Sequence, residues 1–298
     1  MRQTLVATVT PDREQHVTAV DPFGSYRLWI ASGDDPVPRR HQGAPLTASA
    51  ASPWLADRLS GPSRAARVLA AGPQAVYLDD GGVALGVLAR GAVAVPVALR
   101  TRVERLPEVA HAVVGDGRIG LGHLVVEVGR LSAVAAPPLP WLAERGGLLA
   151  PWLRPGTDPR LDAVRAELPA PALGLLAAGE AGAVDALLGL GGGLTPLGDD
   201  VLAGWLVARR AAGLPHDAVA AAVAAGATRT TTLSATLLQR AAAGEAVPEL
   251  RRLLVAVGAS APPHHVRALL LDLLCVGHSS GAGLATGAAL AVPTRRTL

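Results

Sequence analysis

The sequence predicts an α+β protein, with a β-rich N-terminal half followed by an all-helical C-terminal half. Short alternating or β-branched runs continue to about Val128, a Pro-rich bridge follows, and apolar residues recur at helical spacing from Arg160 onward. Of the 298 residues 50% are hydrophobic and 17% charged, so the chain can bury a core rather than stay disordered. Aromatic residues make up 3%, which leaves Ala, Leu and Val to build that core.

The runs Leu5–Thr10, Tyr26–Ala31, Ala75–Leu78, Val83–Leu88, Val93–Leu99 and His123–Val128 read as strands. Between them stand Asp79-Asp80-Gly81-Gly82 and Gly115-Asp116-Gly117, residues that tolerate the left-handed backbone of tight antiparallel hairpins. One helix fits Pro53–Leu59. Ala136-Pro137-Pro138-Leu139-Pro140, with Pro151 and Pro155, interrupts regular structure. It separates an expected β-rich domain over 1–155 from an expected helical domain over 156–298 that carries the active site. Candidate helices in the second are Arg160–Leu168, Val184–Leu188, Asp200–Ala212, His216–Ala225, Leu233–Ala243, Glu249–Val257, Pro263–Val276 and Gly283–Ala291.

Several function classes are excluded by composition. All 27 basic residues are Arg, the net charge is only +3, and the Arg residues are scattered, so no basic stripe awaits nucleic acid. One cysteine, Cys275, precludes an intrachain disulfide or a cysteine-rich zinc site. Met1–His16 meets Asp12 and Glu14 too early for a signal peptide. Ala268–Val276 is broken by Asp272 and falls short of the roughly 20 residues of a membrane span, so a cytoplasmic protein is expected.

The most unusual stretch is Gly189-Leu190-Gly191-Gly192-Gly193-Leu194-Thr195-Pro196-Leu197-Gly198-Asp199-Asp200. Glycines let backbone N–H groups approach a ligand, and a helix start favours anions, so Gly191, Gly192, Gly193, Leu194 and Thr195 are expected to bind phosphate or carboxylate. The P-loop is excluded because the chain has no Lys. Thr195 before Pro196 reads as an N-cap with proline at the first helical position. Asp199 and Asp200 either cap the helix or reach the ligand. Magnesium or another divalent cation is a candidate bridge, although no metal-spaced His pair is present.

Two further polar clusters stand out. Ala227-Thr228-Arg229-Thr230-Thr231-Thr232-Leu233-Ser234 joins one guanidinium to hydroxyls at a helix start, which suits a planar oxyanion. Arg229, Thr230, Thr231 and Ser234 are its candidates, against a plain threonine-rich cap with a surface Arg. The stretch is locally similar to the Ser-Thr-Arg-Thr motif of ornithine and aspartate carbamoyltransferases. Gly277-His278-Ser279-Ser280-Gly281 supplies His278 as an acid–base or orienting group, with Ser279 and Ser280 beside it. His264-His265 reads as surface, and Gly115–Gly120 as a hairpin rather than a dinucleotide site.

Together the Leu-Thr-Pro-x-Gly-Asp-Asp loop, the Thr/Ser helix start and the Gly-His-Ser-Ser-Gly segment resemble the AllH-like family across roughly Leu188–Leu290. The best-known member of that family is a subunit of oxamate carbamoyltransferase in purine (allantoin) catabolism. Gly192 and Leu197 stand where the family commonly has Pro and Ser. The resemblance implies carbamoyl transfer between oxamate and carbamoyl phosphate, to or from oxalurate and phosphate, with companion carbamoyltransferase subunits. Asp199, Asp200, Arg229 and His278 would be the catalytic residues. The alternatives are a non-catalytic metabolite-binding subunit, or another phosphoryl- or acyl-transfer enzyme on the same scaffold.

Overall fold

A computed structural model describes residues 6–9, 15–21, 24–30, 46–145, 147, 149, 151 and 154–292. The contacts part into two compact units, 1–133 and 134–298, so the Pro-rich bridge lies within the second.

The first unit contains strands β1 (Val6–Val9), β2 (Gln15–Asp21), β3 (Gly24–Ile30), β4 (Leu46–Ala51), β5 (Arg64–Ala71), β6 (Ala75–Asp79) and β7 (Ala84–Leu88). It continues with β8 (Ala98–Arg100), β9 (Ala112–Gly115), β10 (Arg118–Leu121) and β11 (Leu124–Leu131), and helix α1 (Pro53–Leu59) lies between β4 and β5. The sheet order β5-β6-β7-β8-β4-β11-β10-β9 closes through β5–β9 pairing into an eight-stranded barrel-like sheet, and β1–β3 extend it from β5. Closure pairs both sides of each barrel strand and leaves no barrel edge to aggregate. The residues Leu5, Thr10 and Ala31, at the ends of expected strands, lie outside the described residues.

The expected hairpins form. Asp116 and Gly117, with φ of 51° and 73°, link β9 to β10, and Gly81 and Gly82 turn β6 into β7. Leu55 and Leu59 of α1 are fully buried in a core with Val76, Leu78, Leu85, Leu99, Ile119 and Leu121. Ser52 caps this helix by accepting from the Leu55 N–H at 3.1 Å. Two readings need correction. The sheet is not purely antiparallel, because β4–β11 and β7–β8 run parallel. Of the run Val93–Leu99 only Ala98 and Leu99 belong to a strand, because Pro96 and Gly91 break the approach.

Asp80, 4% exposed, sits between two guanidinium groups. Arg58 Nε donates to Oδ2 at 2.8 Å, while Arg64 donates from Nε to Oδ1 and from its terminal nitrogen to Oδ2, both at 2.6 Å. The Arg64 hydrogen bond, supported by the charge of Arg58, holds the Asp80 carboxyl below the usual carboxylate range. Because the folded pKa is depressed, this stabilisation is present above about pH 4 and is lost as pH falls through the lower folded value. Asp80→Asn is expected to destabilise the barrel by about 2 kcal/mol at neutral pH, discounted because both Arg side chains are about a third exposed. Urea unfolding at pH 7 and pH 3 checks it: the gap between variant and wild type narrows in acid.

The second unit is helical: α2 (Leu142–Arg145), α3 (Pro159–Glu167), α4 (Ala170–Ala178), α5 (Ala183–Leu187), α6 (Leu197–Ala212) and α7 (Asp217–Ala225). It continues through a 3₁₀ turn at Ala227–Arg229 to α8 (Thr232–Ala242), α9 (Pro248–Gly258), α10 (Pro263–Leu274) and α11 (Ser280–Ala291). The centre of this unit is α6, where Val201, Leu202, Trp205 and Leu206 are buried, and α6 ends at Gly213 in the left-handed conformation. Helices α6 and α11 meet backbone to backbone. A Cβ on Gly204 would overlap the Leu284 carbonyl, one on Gly287 would overlap that of Val201, and one on Gly283 would lie 2.8 Å from the Asp200 Cβ.

Candidate functional site

Residues Gly191–Thr195 form an irregular loop in which the three glycines are exposed, and α6 begins just beyond it. Two glycines are dictated by geometry. Gly189, at φ 77°, lies against the Arg229 carbonyl, and Gly191, at φ 106°, would place a Cβ 2.8 Å from the Leu197 N. The loop is pinned at its ends: Leu190 N–H donates to Leu187 O at 3.0 Å and Gly198 N–H to Leu190 O at 2.9 Å. Among the described residues no protein acceptor is recorded for the N–H groups of Gly191, Gly192, Gly193, Leu194 or Thr195. Of the two positions that depart from the family pattern, Gly192 has open space where a Cβ would go, and Leu197 is a buried core residue.

The first turn of α6 holds both carboxylates, and they have opposite environments. Asp199, 1% exposed, accepts from the Gly189 N–H at 2.7 Å, from Ser234 Oγ at 2.6 Å and from Thr230 Oγ1. Its charge is thereby met by three donors from three segments of chain. Asp200 is also buried, and its Oδ2 has no hydrogen-bond partner. Burial, with a smaller push from the neighbouring Asp199 charge, raises the Asp200 pKa to about 8, although a Ser280 hydroxyl bond works against the rise. Asp200 therefore carries a proton at neutral pH.

The hydroxyl groups tie the loop to its surroundings. Thr231 is the N-cap of α8, accepting from the Ser234 N–H at 3.0 Å while donating to the Leu194 carbonyl at 2.6 Å. Thr195 does not cap α6, because the helix starts after Pro196 and has no side-chain cap. The Thr195 hydroxyl lies instead 3.2 Å from Ser280 Oγ.

The structure thus brings together the glycine loop, Asp199, Asp200, Thr195, Thr230, Thr231, Ser234 and Ser280. Arg229 is placed differently. Its guanidinium is exposed and donates to the Asp185 carbonyl at 2.7 Å and to its Oδ1 at 3.2 Å. His278 is exposed in the turn between α10 and α11, and Ser279 precedes α11 without making a side-chain cap. The Ser280–Asp200 link was not legible in the sequence, where 80 residues separate its partners. A depression of about 460 Å³ lined by Glu144, Arg145 and Ser260–Pro263 shares no residue with this site. Among the described residues no group of three or more His, Cys, Asp or Glu side chains is gathered as for a metal ion.

Asp200 makes stability depend on pH. The folded carboxyl keeps its proton to about pH 8, whereas the unfolded one releases it near pH 4, so stability falls as pH rises through this window by up to about 1.4 kcal/mol per unit. Asp200→Asn is expected to remove that slope, melting close to wild type at about pH 5 and higher than wild type at about pH 8. Thermal melts across this range check it, and parallel profiles for the two proteins would show that Asp200 does not titrate there.

Among the described residues no helix is long and apolar enough to cross a membrane. Neither the curated proteins nor the solved structures include a match to this chain. Residues 187–292 match the family model described as oxamate carbamoyltransferase subunit AllH, so the likeness read from the three polar segments holds over the C-terminal part of the chain, where the loop and both carboxylates lie.

Proposed function

We propose that this chain is a carbamoyltransferase subunit whose helical unit binds carbamoyl phosphate or a similar anion at the Gly191–Thr195 loop, with oxamate as the acceptor. It works with companion subunits, as the family description of its C-terminal part suggests, and in this reading does so in the cytoplasm, in allantoin breakdown. One observation carries the reading: consecutive N–H groups with no acceptor among the described residues stand in an exposed glycine loop. Such preorganised donors stabilise a phosphate dianion and the oxyanion that forms when a carbamoyl carbonyl is attacked.

The two aspartates would repel an anion if both stood bare and ionised. Asp199 is compensated by its donors and Asp200 by its proton, which leaves the loop free to attract negative charge. In this reading Thr230, Thr231 and Ser234 hold the loop in shape. Arg229 gives positive charge beside Gly189 and exchanges Asp185 for the ligand, while His278, Ser279 and Ser280 face the carbonyl or the acceptor.

Calorimetric titration with carbamoyl phosphate and with inorganic phosphate tests this. Wild type is expected to bind both, and Arg229→Ala to bind about fivefold more weakly, a modest loss because the guanidinium is exposed. Wild type that binds neither anion would overturn the reading. Carbamoyl phosphate turnover by the chain alone and with its companions shows whether the site is complete in one subunit.

A further inference from the structure

Asp200 has a feature that anion binding alone leaves unexplained. A carboxyl group is buried in the first turn of α6, one of its oxygens has no partner, and the Ser280 hydroxyl that acts on it lies 3.2 Å from the Thr195 hydroxyl of the loop. An apolar residue or an Asn would fill this space without the cost of desolvating a carboxylate. We propose that Asp200, Ser280 and Thr195 form a proton relay that joins the buried carboxyl to the ligand on the glycine loop, with the Thr195 hydroxyl as the group that meets the ligand. This rests on the reading of the loop as a carbamoyl phosphate site.

The geometry suits two-way traffic. Ser280 Oγ and Thr195 Oγ1 are 3.2 Å apart and either can be the donor, so the chain can run from the carboxyl outward or back again. Thr195 is half-buried at the end of the exposed loop, whereas the carboxyl end is sealed by α11, where Gly283 abuts Asp200. Few charges compete for the proton. Asp199 is the titratable group whose charge acts on Asp200. Helix α11 presents Ser280 and Gly283, α8 presents Ser234 to Asp199, and the Asp185 of α5 is paired with Arg229. His278 stands exposed in the turn before α11. A carboxyl in this setting is still protonated at neutral pH and can act as an acid.

In the proposed step the acceptor nitrogen attacks the carbamoyl carbon, a C–N bond forms and the C–O bond to phosphate breaks. Thr195 passes its hydroxyl proton to the leaving phosphate oxygen, Ser280 replaces it, and Asp200 supplies Ser280. The proton lost by the acceptor nitrogen then returns along the same hydroxyls to Asp200. Donor and acceptor together lose nothing and gain nothing beyond the exchanged carbamoyl group.

The test uses the chain assembled with its companion subunits, carbamoyl phosphate as donor and oxamate as acceptor. Ser280→Ala and Thr195→Val are expected to lower kcat by about 100-fold or more, with KM and phosphate affinity changed by less than about threefold. Thr195→Ser, which keeps the hydroxyl, restores most of the rate. Wild-type activity should fall above about pH 8 as Asp200 loses its proton, and Asp200→Asn should lose both the rate and this alkaline limb while folding stably. Ser280→Ala or Thr195→Val variants that bind phosphate and retain the wild-type kcat and pH profile would overturn the relay alone. Wild type that neither binds nor turns over carbamoyl phosphate would overturn the relay and the loop reading together.

Discussion

Replacing Asp199 by Ala is expected to cost the helical unit about 3–5 kcal/mol and, on the proposed reading of the loop, to abolish its anion binding. The side chain is 1% exposed and gathers the Gly189 N–H, Ser234 Oγ and Thr230 Oγ1. Truncation leaves buried donors with neither acceptor nor room for bulk water, and each such loss costs about 1–3 kcal/mol. The melting temperature of a unit this size should fall by about 6–20 °C. Asp199→Asn retains one acceptor oxygen, and both hydroxyls can turn to accept, so it should lose about 1–2 kcal/mol. Chemical denaturation of the three proteins orders them. If Ala and Asn were equally benign, Asp199 would be a dipole-compensating helix residue and nothing more.

A still larger loss is expected from Gly287→Val. A side chain there would run into the Val201 carbonyl and come within 2.8 Å of the Trp205 N, so the obstruction is backbone and cannot rotate away. Overpacking of a side-chain core costs about 1–3 kcal/mol, and here α6 and α11 must separate, so more than about 4 kcal/mol is expected. Gly192→Ala is the control, since open space surrounds that position, and its stability should stay within about 0.5 kcal/mol of wild type. Circular dichroism during urea unfolding distinguishes them. A Gly287→Val variant of wild-type stability would mean that the two helices slide freely past one another.

Much of the architecture was legible because periodicity and punctuation agree. Pro53–Leu59 begins after a serine cap and holds Leu55 and Leu59 on one face, and the Gly115-Asp116-Gly117 turn could hardly be anything but a hairpin. Other elements were hidden by composition. Helix α4, absent from the expected helices, starts among Pro169 and Pro171, which sit where the first-turn N–H groups have no partner to lose. The strands β4 and β5 are rich in Ala, Ser and Arg and acquire their strand character from neighbours on both sides. The parallel β4–β11 pairing joins segments distant in sequence, to which local pattern is blind.

At the site, chemical type was legible and direction was not. The glycine loop, the paired aspartates and the threonine-rich helix start all stood out, yet Thr195 turns to Ser280 rather than to its own helix, and Arg229 turns to Asp185. The Asp80 cluster was invisible for the same reason: Arg58 and Arg64 converge on it only after the barrel closes.

The wide spacing of the partners of α6 also sets an order of events as the chain emerges from the ribosome. Asp199 waits for Thr230 and Ser234, and Asp200 for Ser280, so neither carboxylate can leave water when α6 itself is first made. Until α11 arrives the Asp200 carboxyl is ionised and solvated, which discourages α6 from collapsing onto the wrong surface. Final docking of α11 then draws a proton out of solution at neutral pH, because the buried carboxyl holds one that the open chain does not. Completion of this unit is therefore a chemical event as well as a packing one.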